Sequence, residues 1–301
     1  MRVTQHTIAS NSLANLQTNL GRVSQLQEQM TSGKVINRPS DSPTGTVSAL
    51  GLRGEIRTTE QYSRNANDAV SWLGTQDTTL TSINDVLQRV RVLTLQGSND
   101  GALGPAAREA LATEVTSLRE STRGLANTTF LGRPIFGGTT ANTQAFVVDA
   151  TSGATPQPIV YQGDGGKVVR RIGDDATVRV DTDGLAVFGP DGASAFDVLD
   201  RIADHLVTDP AALAGDLGAL DDATLRVRTA LTEVGSRYNR AEAARQAADD
   251  RVLTLRATLS GVEDIDLPHT IMDLQMQQMA YQTALGATAK ALQPSLLDFL
   301  R

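Results

Sequence analysis

From Val227 to Val262, apolar side chains recur at alternating steps of four and three residues without a slip. The series is Val227, Leu231, Val234, Tyr238, Ala241, Arg245, Ala248, Val252, Leu255, Leu259 and Val262, and Arg245 alone is charged. This rhythm draws one narrow apolar stripe along a helix, and such a stripe is stable only when other helices cover it. At about 1.5 Å per residue the segment spans roughly 50 Å, so whatever covers it must be a rod as well.

The first part of the chain offers such rods. Leu13, Leu16, Leu20, Val23, Gln27 and Met30 keep the same rhythm, and Thr31-Ser32-Gly33 ends that helix with Gly33 as the C-cap. Arg38-Pro39-Ser40-Asp41-Ser42-Pro43 is a helix-start signal, because Ser and Asp oxygens cap free N–H groups and Pro suits a first turn. A helix is expected from Thr44 to Gln96, with Ala49, Leu52, Ile56, Ala66, Val70 and Leu73 inward. Its stripe then shifts to Leu80, Ile83, Leu87 and Val90. Asn99-Asp100-Gly101 makes a turn, and Pro105 opens a third helix that folds back with Leu111, Val115, Leu118 and Leu125 on one face. After the long C-terminal series, Pro268 is expected to break the helix. Ile271, Leu274, Gln278, Tyr281, Leu285, Thr288 and Leu292 then repeat the rhythm.

The middle of the chain differs. Phe146–Val148, Ile159–Tyr161, Lys167–Val169, Thr177–Val180 and Ala186–Phe188 are short β-branched runs, some separated by Gly- and Asp-rich turns, so five strands of a small hairpin module are expected. Ala195 to Leu206 reads as a short helix that Thr208-Asp209-Pro210 ends. Between Thr139 and Asp222 there are fourteen Asp, no Glu and five Lys or Arg, a net −9, so the rest of a −7 chain carries +2. An acidic stretch of this kind is expected to face solvent. Aromatic residues are only 4% of the 301 residues, which argues against a large compact core.

These features exclude several function classes. There is no basic stripe for nucleic acid. There is no Cys, hence no disulfide or thiolate chemistry. No apolar run approaches the ~18 residues of a membrane span, and the N-terminus lacks the pattern of a Sec signal peptide. By these signals alone the chain reads as cytoplasmic.

No group of residues in the chain spells out a chemical site. His6, His205 and His269 share no motif and are expected at the surface or in caps. Gly165-Gly166-Lys167 resembles a phosphate loop, but Tyr161 and Val168 stand where Gly and Ser or Thr are needed. Asp181-x-Asp183-Gly184 has its Gly too early for a calcium loop and reads as a turn. Asn127-Thr128-Thr129 matches a glycosylation sequon, a frequent chance match. Met272, Met276 and Met279 share helical spacing and suit either a core or an adaptable surface for a partner. No catalytic, cofactor-binding or metal-ligating residues are expected.

Ser32 to Pro43, Gln61 to Ala69, Leu87 to Gln96, Ala126 to Gly138 and Gly235 to Glu242 follow one another as they do in the flagellin superfamily, which the chain resembles over roughly residues 1–138 and 215–301. Glu263-Asp264-Ile265-Asp266-Leu267, Tyr281 to Leu285, Ser295 to Leu300 and Gly132 to Gly138 resemble the hook-associated members, which form the junction between hook and filament, more than the filament-forming flagellins. Ser42 stands where a second Asp is common, and Pro294 falls inside the expected last helix.

The resemblance implies a mainly α protein with an inserted β module, its two ends packed as a long antiparallel bundle or coiled coil. It implies five segments: an N-terminal assembly helix and turn (1–43), two parts of a helical rod (44–138 and 195–267), the β module (139–194) and a C-terminal assembly helix (268–301). A structural, non-enzymatic role in motility follows, with type III export and an extracellular location that displaces the cytoplasmic reading. Expected partners are a hook-side junction protein, flagellin, further copies in a ring layer and an export chaperone, without nucleic acid or membrane insertion. The residues expected to pack between subunits are Leu13, Leu16, Leu20, Val23, Met30, Ile271, Leu274, Tyr281, Leu285, Leu292, Leu296 and Phe299. A flagellin, or a coiled-coil scaffold unrelated to flagella, are the alternatives.

Overall fold

A computed structural model describes residues 5–98, 104–153 and 156–292. Helices α1 (Gln5–Ser32), α2 (Pro43–Gly97) and α3 (Pro105–Ala126) come first. Six short strands follow: β1 (Thr129–Phe130), β2 (Arg133–Pro134), β3 (Phe146–Val148), β4 (Ile159–Tyr161), β5 (Val169–Arg171) and β6 (Thr177–Arg179). Then come α4 (Gly184–Phe188), α5 (Ala195–Thr208), a 3-10 turn (Pro210–Ala212), α6 (Leu213–Glu263) and α7 (Leu267–Leu292). The chain forms two compact units, one of Met1–Thr58 with Arg251–Arg301, the other of Thr59–Asp250. Mainly helical architecture with small antiparallel strand pairs is what the sequence led us to expect.

The stripes of α2 and α6 are buried over much of their length. Ala49, Ile56, Ala66, Leu73, Leu80, Ile83, Leu87 and Val90 of α2 are buried, as are Val227, Val234, Ala241, Ala248, Val252 and Leu255 of α6. The charged member, Arg245, is half-buried and bonded to Glu242 and Asp249, on the adjacent turns of its own helix.

The middle of the chain departs from expectation. It is no solvated appendage, because its apolar faces belong to the core of the second unit. Phe136, Phe146, Phe188 and Phe196 are fully buried and in mutual ring contact, with Phe146 4.8 Å from Phe188 and 5.3 Å from Phe196. Trp72 of α2 is buried and meets Phe130 at 5.2 Å. Most of the described aromatics thus belong to the core of this unit, where each adds a large buried area. The Asp residues lie around this core, and several cap turns or pair with Arg.

Two expected strands are also corrected. Ala186–Phe188 lies in α4, because the Asp183 side chain accepts the Leu185 N–H and starts a helical turn. The strand expected at Lys167–Val169 begins at Val169, pairing Val169 with Arg179 and Arg171 with Thr177. The turn between β1 and β2 places Leu131 at φ 49° and Gly132 at φ 77°, two successive left-handed residues as a tight hairpin requires. Pro268 does not break a helix. It sits in the first turn of α7, where a missing N–H costs nothing, and the break is the short segment Asp264–Asp266.

Candidate subunit-packing surface

The first unit brings the two ends of the chain together, with α1 lying against α7. Along α1 the less exposed positions are Ser12, Leu16, Asn19, Val23, Leu26, Gln29 and Met30. Along α7 they are Thr270, Asp273, Leu274, Gln277, Tyr281, Ala284 and Thr288. Both series keep the heptad rhythm, but each includes polar members, and Gln277 donates to Asn19 at 3.2 Å across the pair.

Only part of the expected apolar stripe lies in this seam. Val23 is buried, and Leu16, Met30, Leu274 and Tyr281 are half-buried. Leu13 and Leu20, one heptad apart, are 58% and 51% exposed, while Ile271 and Leu285 are 36% and 43% exposed. Leu292 closes α7, and its side chain, with Leu296, Phe299 and Pro294, lies outside the described residues. The α1–α7 pair therefore turns several of its largest apolar side chains outward. Met272, Met276 and Met279 are each more than half exposed as well, and Met276 lines a separate groove with Arg22, Gln25 and Gln29. Single exposed Leu residues are ordinary, but here they recur at heptad spacing along two paired helices, with Gln27 and Gln278 at the intervening polar positions. Covering one such side chain fully is worth about 1.5–3 kcal/mol.

A staple fixes the loop between α1 and α2 to the break between α6 and α7. Val35 N–H donates to Glu263 O at 2.7 Å, and Ile265 N–H to Gly33 O at 3.1 Å. Gly33 makes the turn with φ 72°. The buried Glu263 carboxylate takes Lys34 Nζ at 2.5 Å and Arg53 Nη2 at 2.8 Å. Burial pushes its pKa up, but the Lys34 and Arg53 hydrogen bonds outweigh that and hold it below the usual Glu value. Asp41 accepts the Asn37 and Arg38 N–H groups, and Ser42 Oγ accepts that of Gly45 at the start of α2. Lys34 and Glu263 each lie inside a motif segment, but 229 residues separate them, so nothing local marks them as partners.

Asp181, Asp183, His205 and His269 are engaged within the chain, and the His6 side chain lies outside the described residues. Asp181 is buried and accepts Val168 N–H and Arg179, while Asp183 caps α4, so both carboxylates are engaged within the chain. His205 and Arg201 of α5 both hold the buried Asp216 of α6, at 2.6 and 2.8 Å. His269 faces Asp273 one turn along α7. Among the described residues no cluster of His, Cys, Asp or Glu could hold a metal ion, and no helix is long and apolar enough to cross a membrane.

The Gly132–Gly138 segment builds the floor of the strand module. Ile135 and Phe136 are fully buried, and Asp164 accepts both the Thr139 N–H, at 2.6 Å, and the Thr139 hydroxyl, at 2.5 Å. Gly138 has φ 67°, and a Cβ there would meet Asp164 O at 2.4 Å, so the close approach of these two loops needs glycine.

Residues 3–141 match the family model for the bacterial flagellin N-terminal helical region. The chain is 27% identical to a flagellin of Bacillus subtilis over 100% of both chains. It is 28% identical to flagellar hook-associated protein 3 of Escherichia coli, over 86% of this chain and 87% of that one. The crystal structure of a flagellar hook-associated protein 3 from Legionella pneumophila shares the fold, with TM-score 0.61 over 70% of this chain and 98% of the other at 17% identity. The ordered N-terminal motifs and similarity over nearly the whole length of flagellar axial proteins liken this chain to the flagellin superfamily, and the fold is shared.

Proposed function

We propose that this chain is the structural subunit that joins hook to filament in a bacterial flagellum, exported by the flagellar type III pathway and required for the filament to assemble. The observation that carries the reading is the pairing of the two chain ends with Leu13, Leu20, Ile271 and Leu285 left outward. A helix pair of this kind is completed by lateral neighbours, which is what a subunit in a continuous tube requires. The segments 1–43 and 268–301 act as assembly helices, and the subunit-packing role extends to Leu292, Leu296 and Phe299. The neighbours are further copies in one ring layer, a hook-side junction protein below and flagellin above, with a chaperone covering the terminal stripes before export. The role is structural, without catalysis.

The motifs at Gly132–Gly138 and Glu263–Leu267, together with similarity to hook-associated protein 3 over most of both chains, favour the junction position. Full-length similarity to a flagellin favours a second reading, the filament subunit itself. A strain lacking this gene separates them. As a junction protein its loss leaves hooks without filaments, seen by electron microscopy, while a separate flagellin appears in the medium as monomer. Immunogold labelling of this chain along whole filaments, or a mutant that exports no other flagellin, returns the answer to flagellin.

A further inference from the structure

Arg226 of α6 is half-buried, and among the described residues its guanidinium makes no ion pair or hydrogen bond. Its Nε is closed off from solvent without an acceptor. Its helix neighbours differ: Arg228 donates to Asn84, and Arg237 pairs with Glu233 at 2.8 Å and donates to Asp181 O. Arg226 is positioned by packing instead. It lies beside Gly189, whose φ is 93° and where an added Cβ would stand 3.2 Å from Nη2.

The side chain lines a cavity of about 250 Å³ between α6 and the start of α4, with Thr182, Ala186, Leu225, Ala230 and Glu233. Its polar groups are otherwise engaged. Thr182 donates to Gln76, Thr229 donates to Leu225 O, and Glu233 is held by Arg237. The cavity thus offers an apolar wall and one free cationic fork. A partly desolvated charge without a counter-ion is costly, and a guanidinium fork matches a carboxylate in shape and charge. The volume is below the ~300 Å³ at which drug-sized pockets begin, so a small occupant fits.

We infer that this cavity binds a monocarboxylate on a short aliphatic body, with Arg226 holding the carboxylate while Leu225, Ala186 and Ala230 cover the carbons. A free acid and a Glu side chain of another polypeptide share this chemistry.

The test is an NMR titration of the full chain with butyrate. The expected result is saturable, millimolar binding with shifts at the Ala186, Leu225 and Ala230 amides. Butyramide, of the same shape without charge, does not bind. Arg226→Met weakens butyrate binding by about tenfold or more, the loss of one charge-assisted contact. Arg226→Lys, which keeps the charge without the fork, loses less. A short peptide with an internal Glu that binds more tightly than butyrate assigns the carboxylate to a protein chain, and weaker binding assigns it to the free acid. Absence of saturable binding by either probe, or butyrate binding unchanged in a folded Arg226→Met chain, overturns the site.

Discussion

Replacing Glu263 by Gln keeps the shape of the side chain and removes the charge that the loop between α1 and α2 is fastened to. The carboxylate is 3% exposed, and one oxygen takes both Lys34 at 2.5 Å and Arg53 at 2.8 Å. A hydrogen bond to a charged group contributes about 1.5–3 kcal/mol. Two would suggest more, but both bonds share an oxygen, and the Lys34 and Arg53 side chains are 40% and 45% exposed and regain water on release. With that screening the expected loss is about 2 kcal/mol. Two backbone bonds depend on the same staple, Val35 N–H to Glu263 O and Ile265 N–H to Gly33 O. Hydrogen exchange at those two amides should therefore accelerate by about thirtyfold, since 1.36 kcal/mol is a factor of ten. Exchange in the Phe136–Phe146–Phe188–Phe196 cluster should not change. The folded pKa of Glu263 lies below its ordinary value of 4.5, so its contribution is present above pH 4.5 and lost as pH falls through the lower folded value. Wild-type protection of Val35 and Ile265 should accordingly fall in acid and converge on that of Glu263→Gln. Equal protection in both proteins at neutral pH would refute the reasoning, because the backbone bonds would then hold the loop unaided.

Phe146→Ala should lower stability by about 3–5 kcal/mol by thermal unfolding, because Phe146 is buried among three other aromatic rings. An unchanged melting temperature would mean the strand module does not share the helical core. Gly138→Ala should cost more than ~1 kcal/mol by denaturant titration, from left-handed backbone and collision with Asp164, and a neutral effect would show that the two loops can part freely. Leu20→Asp and Leu285→Asp should leave the unfolding of the isolated chain within about 0.5 kcal/mol of wild type, since both positions are exposed. Both should abolish motility, and motile cells carrying either variant would rule out these stripes as packing surfaces.

Much of this protein is legible in its residue order, because helices signal themselves locally. Alternating steps of three and four located the buried faces of α2 and α6, and Ser42-Pro43 and Pro105 marked helix starts, since capping and periodicity act within one or two turns. The strand module resisted the same reading. Ala186–Phe188 has strand-like residues, yet one hydrogen bond from Asp183 makes it a helical turn. Its scarce aromatics looked like evidence against a core because composition averages over a chain, whereas packing brings Trp72 of α2, Phe130, Phe136, Phe146, Phe188 and Phe196 into one cluster. The surface of the first unit was half legible. The sequence by itself determined which residues of α1 and α7 are apolar and how they are spaced. It did not determine which way each helix turns, because a stripe of period 3.5 can face either an internal partner or a neighbouring molecule. Only tertiary structure decided that Ser12, Leu16, Asn19 and Val23 meet α7 while Leu13 and Leu20 face outward, and that Lys34 closes on Glu263. Both depend on contacts between positions more than two hundred residues apart, which no local periodicity encodes.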